Sequence, residues 1–146
     1  MPSMFASGVI PILNVSSVTD SIRWFERLGW KMNWSTGEPP NFASLSAGHA
    51  TIFVCHNAQG SRGKGSNTMT FGETGDQRAD KGVWIWVAVD NVDEVYRFCI
   101  ANGFEITWPP TDMPWGERET HIRHPDGHVL RVGQHVRQQS AGQSSA

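Results

Sequence analysis

The chain has 146 residues, a formal net charge of -2 at pH 7 and a pI near 6.3; that is room for one domain with a hydrophobic core, without the basic surplus that a phosphate backbone demands. Nucleic acid is therefore not an expected partner, and with no long apolar run and no signal-like start in "MPSMFASGVIPIL" neither a membrane span nor secretion is expected, which leaves a cytoplasmic address. Cys55 and Cys99 read as small buried hydrophobes without chemistry, whereas seven tryptophans are unusual, and some of them are candidates for lining a cavity.

In chain order, "VIPILNV" alternates as a strand and ends at Val15. Ser17 and Asp20 have the spacing of a capping box in its acidic variant, Ile22, Phe25 and Leu28 share a helical face, and Gly29 stops the helix. A strand follows, and Trp24, Trp30 and Trp34, on the helix and that strand, are expected to pack. "FASLSAGHATIFV" reads as two strands around Gly48-His49. Residues 57–81, polar and Gly-rich, form a flexible connector, and whether it serves as a lid is open. "VWIWVAV" is again a strand: Val83, Ile85, Val87 and Val89 suit packing under a helix and leave Trp84, Trp86 and Ala88 on the other face. Asn91 and Glu94 start a second helix with Val95, Phe98 and Ile100 on its apolar side, and Gly103 ends it. "RETHIRHPDGHVLRV" closes as a hairpin, and residues 138–146 have too little apolar content to pack.

The second half repeats the first. Val15 to Val89 and Gly29 to Gly103 are both offsets of 74, and Gly48-His49 answers Gly127-His128 at 79, the five extra residues falling in "PPTDMPWG". The expected fold class is α+β: two tandem βαβββ modules, about 8–56 and 82–134, within a single domain over 1–137.

These halves, the helix ends "RLGW" and "ANGF", and the closing run "PWGERETHIRHPDGHVLRVGQ" resemble the vicinal oxygen chelate superfamily, and within it the glyoxalase/bleomycin resistance proteins, over nearly the whole chain to about Gln134. The resemblance implies a curved, antiparallel-rich sheet in each half, concave faces around a cavity for a small molecule, and a homodimer. Whether the cavity lies within one chain or between two is open. In metal-dependent members, histidines on the first strands and carboxylates on the last strands hold a divalent ion. Those positions fall here on Ile10, Trp84, Ile52 and Arg131, and their immediate neighbours supply no usual ligand either. No metal and no other cofactor are expected.

Alternation along 118–124 turns Thr120 and Ile122 toward the helix and Glu119, His121 and Arg123 toward the concave face, where Val129, Arg131 and Gly133 join them. An ordered polar network of Glu119, His121, Arg123 and Arg131 is expected. His124 and His128 flank the Pro-Asp-Gly turn and read as solvated, or as making local side-chain to backbone bonds. Trp84 and Trp86 either fill space between sheets or offer flat surfaces to a planar or cationic ligand; Trp108 and Trp115, at the rim, either grip that ligand or anchor the Pro-rich loop. Asn14 faces the cavity from the first strand. With two arginines inside, a mixed aromatic and anionic molecule suits the cavity at least as well as a bleomycin-like cation.

The reading is a metal-free small-molecule-binding protein of the bleomycin-resistance type, sequestering or carrying an aromatic ligand through Trp84, Trp86, Trp108, Trp115, Glu119, His121, Arg123, Arg131 and Asn14. The alternative is a glyoxalase- or dioxygenase-like lyase or isomerase with atypical or no metal, in which Glu119 or His121 moves protons and Arg131 stabilises an anion. A dimeric interaction module with a residual pocket is the third possibility.

Overall fold

The structure, a computed structural model, describes residues 3–62 and 82–136. Most of the connector and all of the tail 138–146 lie outside the described residues. The chain divides into two compact units, Met1–Gly60 and Ser61–Ala146.

The first unit runs β1 (Ile12–Val15), α1 (Val18–Arg27), β2 (Lys31–Thr36), β3 (Phe42–Ala47) and β4 (Ala50–His56). Its sheet has the order β1-β4-β3-β2, with β1 parallel to β4 and the other pairs antiparallel. Ser17 caps α1 as its spacing predicts, its side chain accepting from the Asp20 amide at 3.1 Å. Beyond the helix Gly29 takes φ 103°, a conformation costly to any residue with a Cβ. The buried stripe of α1 is Val18, Ser21, Trp24 and Phe25, with Ile22 and Leu28 half-buried at its flanks. It packs over Leu13, Val15, Ala43, Leu45, Ile52 and Val54, all essentially inaccessible. Trp24 and Trp30 are buried as expected, each set edge-on to Phe25. Trp34 also packs, but on the helix-free face, where it is half-exposed, stacked on Phe42 at 5.8 Å and tilted against Phe53 at 5.4 Å. Its place on the strand, opposite Ser44, turns it away from α1.

The second unit repeats the plan with β5 (Trp84–Ala88), α2 (Val92–Ala101), β6 (Glu105–Asp112), β7 (Glu117–Arg123) and β8 (Val129–His135), in the order β5-β8-β7-β6 with β5 parallel to β8. The duplication read from the spacing is thus a duplication of topology. Asn91 caps α2 by accepting from the Glu94 amide at 3.0 Å. Val92 and Cys99 point inward, whereas Phe98 and Ile100 are exposed, because positions 92, 95 and 99 follow the helical period and 98 and 100 fall beside it. Arg118 ties α2 to the sheet: its Nε and Nη2 reach both oxygens of Asp93 at 3.0 and 2.9 Å, and its Nη1 reaches Asp112 at 2.9 Å. β6 runs through Pro109 and Pro110. It can do so as an edge strand, and the register shift between Trp108 and Thr111 leaves both prolines outside the ladder.

Candidate functional site

Ladder register sorts the second sheet into two faces. Toward α2 stand Ile85, Leu130, Ile122 and Ile106 in one row and Val87, Val132 and Thr120 in the next. Val83, expected to extend this aliphatic set, precedes the strand and is half-exposed. On the helix-free face the rows read Trp84, Val129, Arg123, Glu105; then Trp86, Arg131, His121, Trp108; then Ala88, Gly133, Glu119, Thr111. Alternation along the strands thus sets Glu119, His121, Arg123 and Arg131 together on the helix-free face.

Glu119 is the hub of this face. Its carboxylate is 1% exposed, and donors converge on both oxygens. Arg131 donates to Oε1 from Nε at 3.1 Å and from Nη2 at 3.0 Å, and His121 Nε2 lies 2.9 Å from the same oxygen. Oε2 accepts from the indole nitrogens of Trp86 at 3.3 Å and Trp115 at 3.2 Å. Burial alone pushes the Glu119 pKa up; the hydrogen bonds from His121, Arg131 and Trp115 and the guanidinium charge outweigh it and hold the group below the ordinary carboxylate value. An ionised carboxylate only accepts, so His121 Nε2 carries the proton. Burial is also the main reason the His121 pKa is lowered, with Arg131 adding to it and Glu119 opposing.

Around this buried centre lie exposed rings. Trp84, Trp86 and Trp115 are 50%, 47% and 54% exposed. The Arg131 guanidinium sits 4.6 Å from the Trp84 ring centre and 6.0 Å from that of Trp115, both cation–π distances. Trp86 lies over Gly133, where a Cβ would come 2.8 Å from the ring. Glycine at 133 is a requirement of that close approach, and no sequence signal singled it out. Trp108 stacks on His121 at 6.0 Å from within β6, on the sheet face itself, and Trp115 alone comes from a loop.

Of the expected four-residue network, Glu119, His121 and Arg131 come together. Arg123 shares their face but pairs with Glu105, 3.3 Å away, one row further from Glu119. Asn14 belongs to the first unit, where its amide donates to the Gly60 carbonyl at 2.7 Å. His124 and His128 are not solvated; both are buried. The local bond forms at His124, whose Nδ1 accepts from the Asp126 amide at 2.9 Å; the bond of His128 is not local, its Nδ1 accepting from the Val83 amide at 3.1 Å and holding the start of β5. Burial, and then the neighbouring His128, push the His124 pKa down to about 3.

The sequence model of the Glyoxalase/Bleomycin resistance protein/Dioxygenase superfamily matches residues 8–132. The chain belongs to this superfamily. Among solved structures, similar ones are TioX from Micromonospora sp. ML1 (20% identity, TM-score 0.68, covering 90% of this chain and 100% of that one) and a bleomycin resistance determinant encoded on transposon Tn5 (18%, 0.65, 89% and 98%). A bleomycin-binding protein complexed with bleomycin is another (18%, 0.63, 88% and 98%). At these identities the likeness shows the shared fold. No curated protein matches the chain.

Trp86 pairs with Arg131 as Ile12 pairs with Phe53, so the first-unit equivalent of Arg131 is Phe53; Ile52 is buried on the α1 side. The expected register was one residue off. Neither residue is a ligand, and Ile10 and Trp84 are not ligands either. Glu119, the buried carboxylate on the second sheet's face, already binds the Arg131 cation, which would repel a divalent ion. Among the described residues no group of three or more His, Cys, Asp or Glu is placed to hold a metal. The donor set does not fit the superfamily's metal.

Proposed function

We propose that this member of the superfamily binds a small molecule, in the manner of the bleomycin-resistance proteins, sequestering or carrying an aromatic ligand. The observation that carries the reading is the arrangement of Trp84, Trp86 and Trp115: three half-exposed indoles around a buried carboxylate that takes the N–H groups of two of them. With those N–H groups satisfied, the exposed parts of the rings are apolar surface held in fixed orientations, which suits stacking. That one structural neighbour is a bleomycin-binding protein with its drug supports a binding role. Tryptophan fluorescence titration with bleomycin and a panel of planar aromatic compounds tests it. Saturable quenching at micromolar ligand, lost in Trp84→Ala and Trp115→Ala, is expected; folded protein that no compound quenches would overturn it.

The enzymatic alternative rests on the 2.9 Å contact between His121 and Glu119. A carboxylate with a lowered pKa and donors on both oxygens is a weak base, so the binding reading is preferred. Loss of a measured turnover in both Glu119→Gln and His121→Ala would reverse that preference. A homodimer is proposed as the assembled form, to be checked by small-angle scattering. Among the described residues no helix is long and apolar enough to cross a membrane.

A further inference from the structure

We infer that Arg131 sets the charge class of the ligand: the tryptophan face of the second sheet takes uncharged planar aromatic rings and discriminates against organic cations. The inference rests on the binding role proposed above and deepens it.

An indole draws cations through its quadrupole, and three half-exposed indoles by themselves would favour a cationic ligand. Here a cation built into the protein has that place: the Arg131 guanidinium lies 4.6 Å from the Trp84 ring centre and 6.0 Å from that of Trp115. A second cation stacked on these rings is repelled by the first. The attraction that a carboxylate could offer is also spent. Glu119, in the row beside Trp86 and Arg131, is buried and bonded to Arg131 at 3.0 Å, and Glu105, in the row of Trp84, pairs with Arg123 at 3.3 Å. The face holds a third carboxylate, Glu117, two rows from Arg131 and joined to His135 at 3.4 Å. From the row of Trp84 it is three rows away, six residues or about 20 Å along a strand. That exceeds the screening length of about 8 Å at physiological salt. Around Trp84 the charges therefore cancel in pairs, and what remains for a ligand is flat, apolar and near neutral.

Three probes with one ring system test this: naphthalene-2-carboxamide, naphthalene-2-carboxylate and 2-naphthyltrimethylammonium, titrated into the full chain while the indole N–H resonances of Trp84, Trp86 and Trp115 are followed by NMR. The carboxamide is expected to bind about tenfold more tightly than the ammonium probe. In Arg131→Gln the Glu119 charge loses its counterion, and the order of these two probes is expected to reverse; in Arg131→Lys, which keeps the charge, it is expected to persist. An ammonium probe that binds wild-type protein as tightly as the carboxamide, or a carboxylate that binds more tightly than either, overturns the charge class and leaves the binding role standing. No shift of the indole resonances with any probe at millimolar concentration overturns both. Should Arg131→Gln not fold, the wild-type series and Arg131→Lys decide the matter, the order being lost in neither if Arg131 acts as described.

Discussion

Trp115 and Glu119 are joined by a 3.2 Å hydrogen bond from the indole nitrogen to Oε2, which carries a loop tryptophan onto the centre of the sheet. The same oxygen holds Trp86, so one buried carboxylate sets two of the three exposed rings.

Removing that carboxylate should therefore affect both stability and binding. Glu119→Ala leaves Arg131 without its counterion and two indoles without an acceptor, and is expected to cost about 3 kcal/mol. Glu119→Gln keeps one acceptor oxygen and should cost less. Urea denaturation measures both, and equal stability of Glu119→Ala and wild type would contradict the hub.

Gly133 has a narrower role. In Gly133→Ala the new methyl meets Trp86 at distances of 2.8 to 3.0 Å, and because that indole is half-exposed it can swing away. The stability cost should be modest, about 1 kcal/mol. The bond from Trp86 to Glu119 should be lost, visible as a shift of one indole N–H resonance, with aromatic ligands bound about tenfold more weakly.

Acid should weaken the fold through buried His124. Its folded pKa, about 3, lies below its ordinary value of 6.5, so its contribution is complete above about pH 6.5 and is lost as pH falls toward 3. The lowered pKa of His121 acts in the same direction, and that of Glu119 adds a loss below the ordinary carboxylate range of about 4.5. His124→Asn, which retains an acceptor for the Asp126 amide, should flatten the pH dependence of urea stability over this window by up to about 1.4 kcal/mol per pH unit. An unchanged slope would assign the acid sensitivity elsewhere.

His128 holds the strand that bears Trp84 and Trp86. His128→Ala empties a buried site and removes the acceptor of the Val83 amide, at an expected cost of about 2 to 3 kcal/mol. Hydrogen exchange at Val83 should accelerate more than exchange at Leu130 in the middle of the sheet.

Much of this architecture is local in origin. Ser17 and Asn91 cap their helices, Gly29 and Gly103 end them at positive φ, and the period-two alternation of "VWIWVAV" and "RETHIR" separates the two faces of the second sheet. Those features depend on neighbours a few residues away, so they can be read along the chain. The errors arose where a tertiary partner decided. His128 looked like a turn residue because a Pro-Asp-Gly turn is commonly solvated, yet the backbone amide of Val83, distant in sequence, supplies a donor that allows its imidazole to be buried.

The sequence by itself determined the repeated β-α-β-β-β order and the face on which Glu119, His121 and Arg131 stand, since periodicity and spacing are properties of the chain alone; the family followed from the likeness of its motifs to those of known members. Only the tertiary structure decided that Trp86, Trp115, His121 and Arg131 meet on one carboxylate while Arg123 turns to Glu105. Strand register brings residues far apart in sequence, such as Trp86 and Glu119 or Arg131 and Glu119, to 3.0 to 3.3 Å, and a hydrogen bond, unlike a hydrophobic period, exists only when that distance and direction are met.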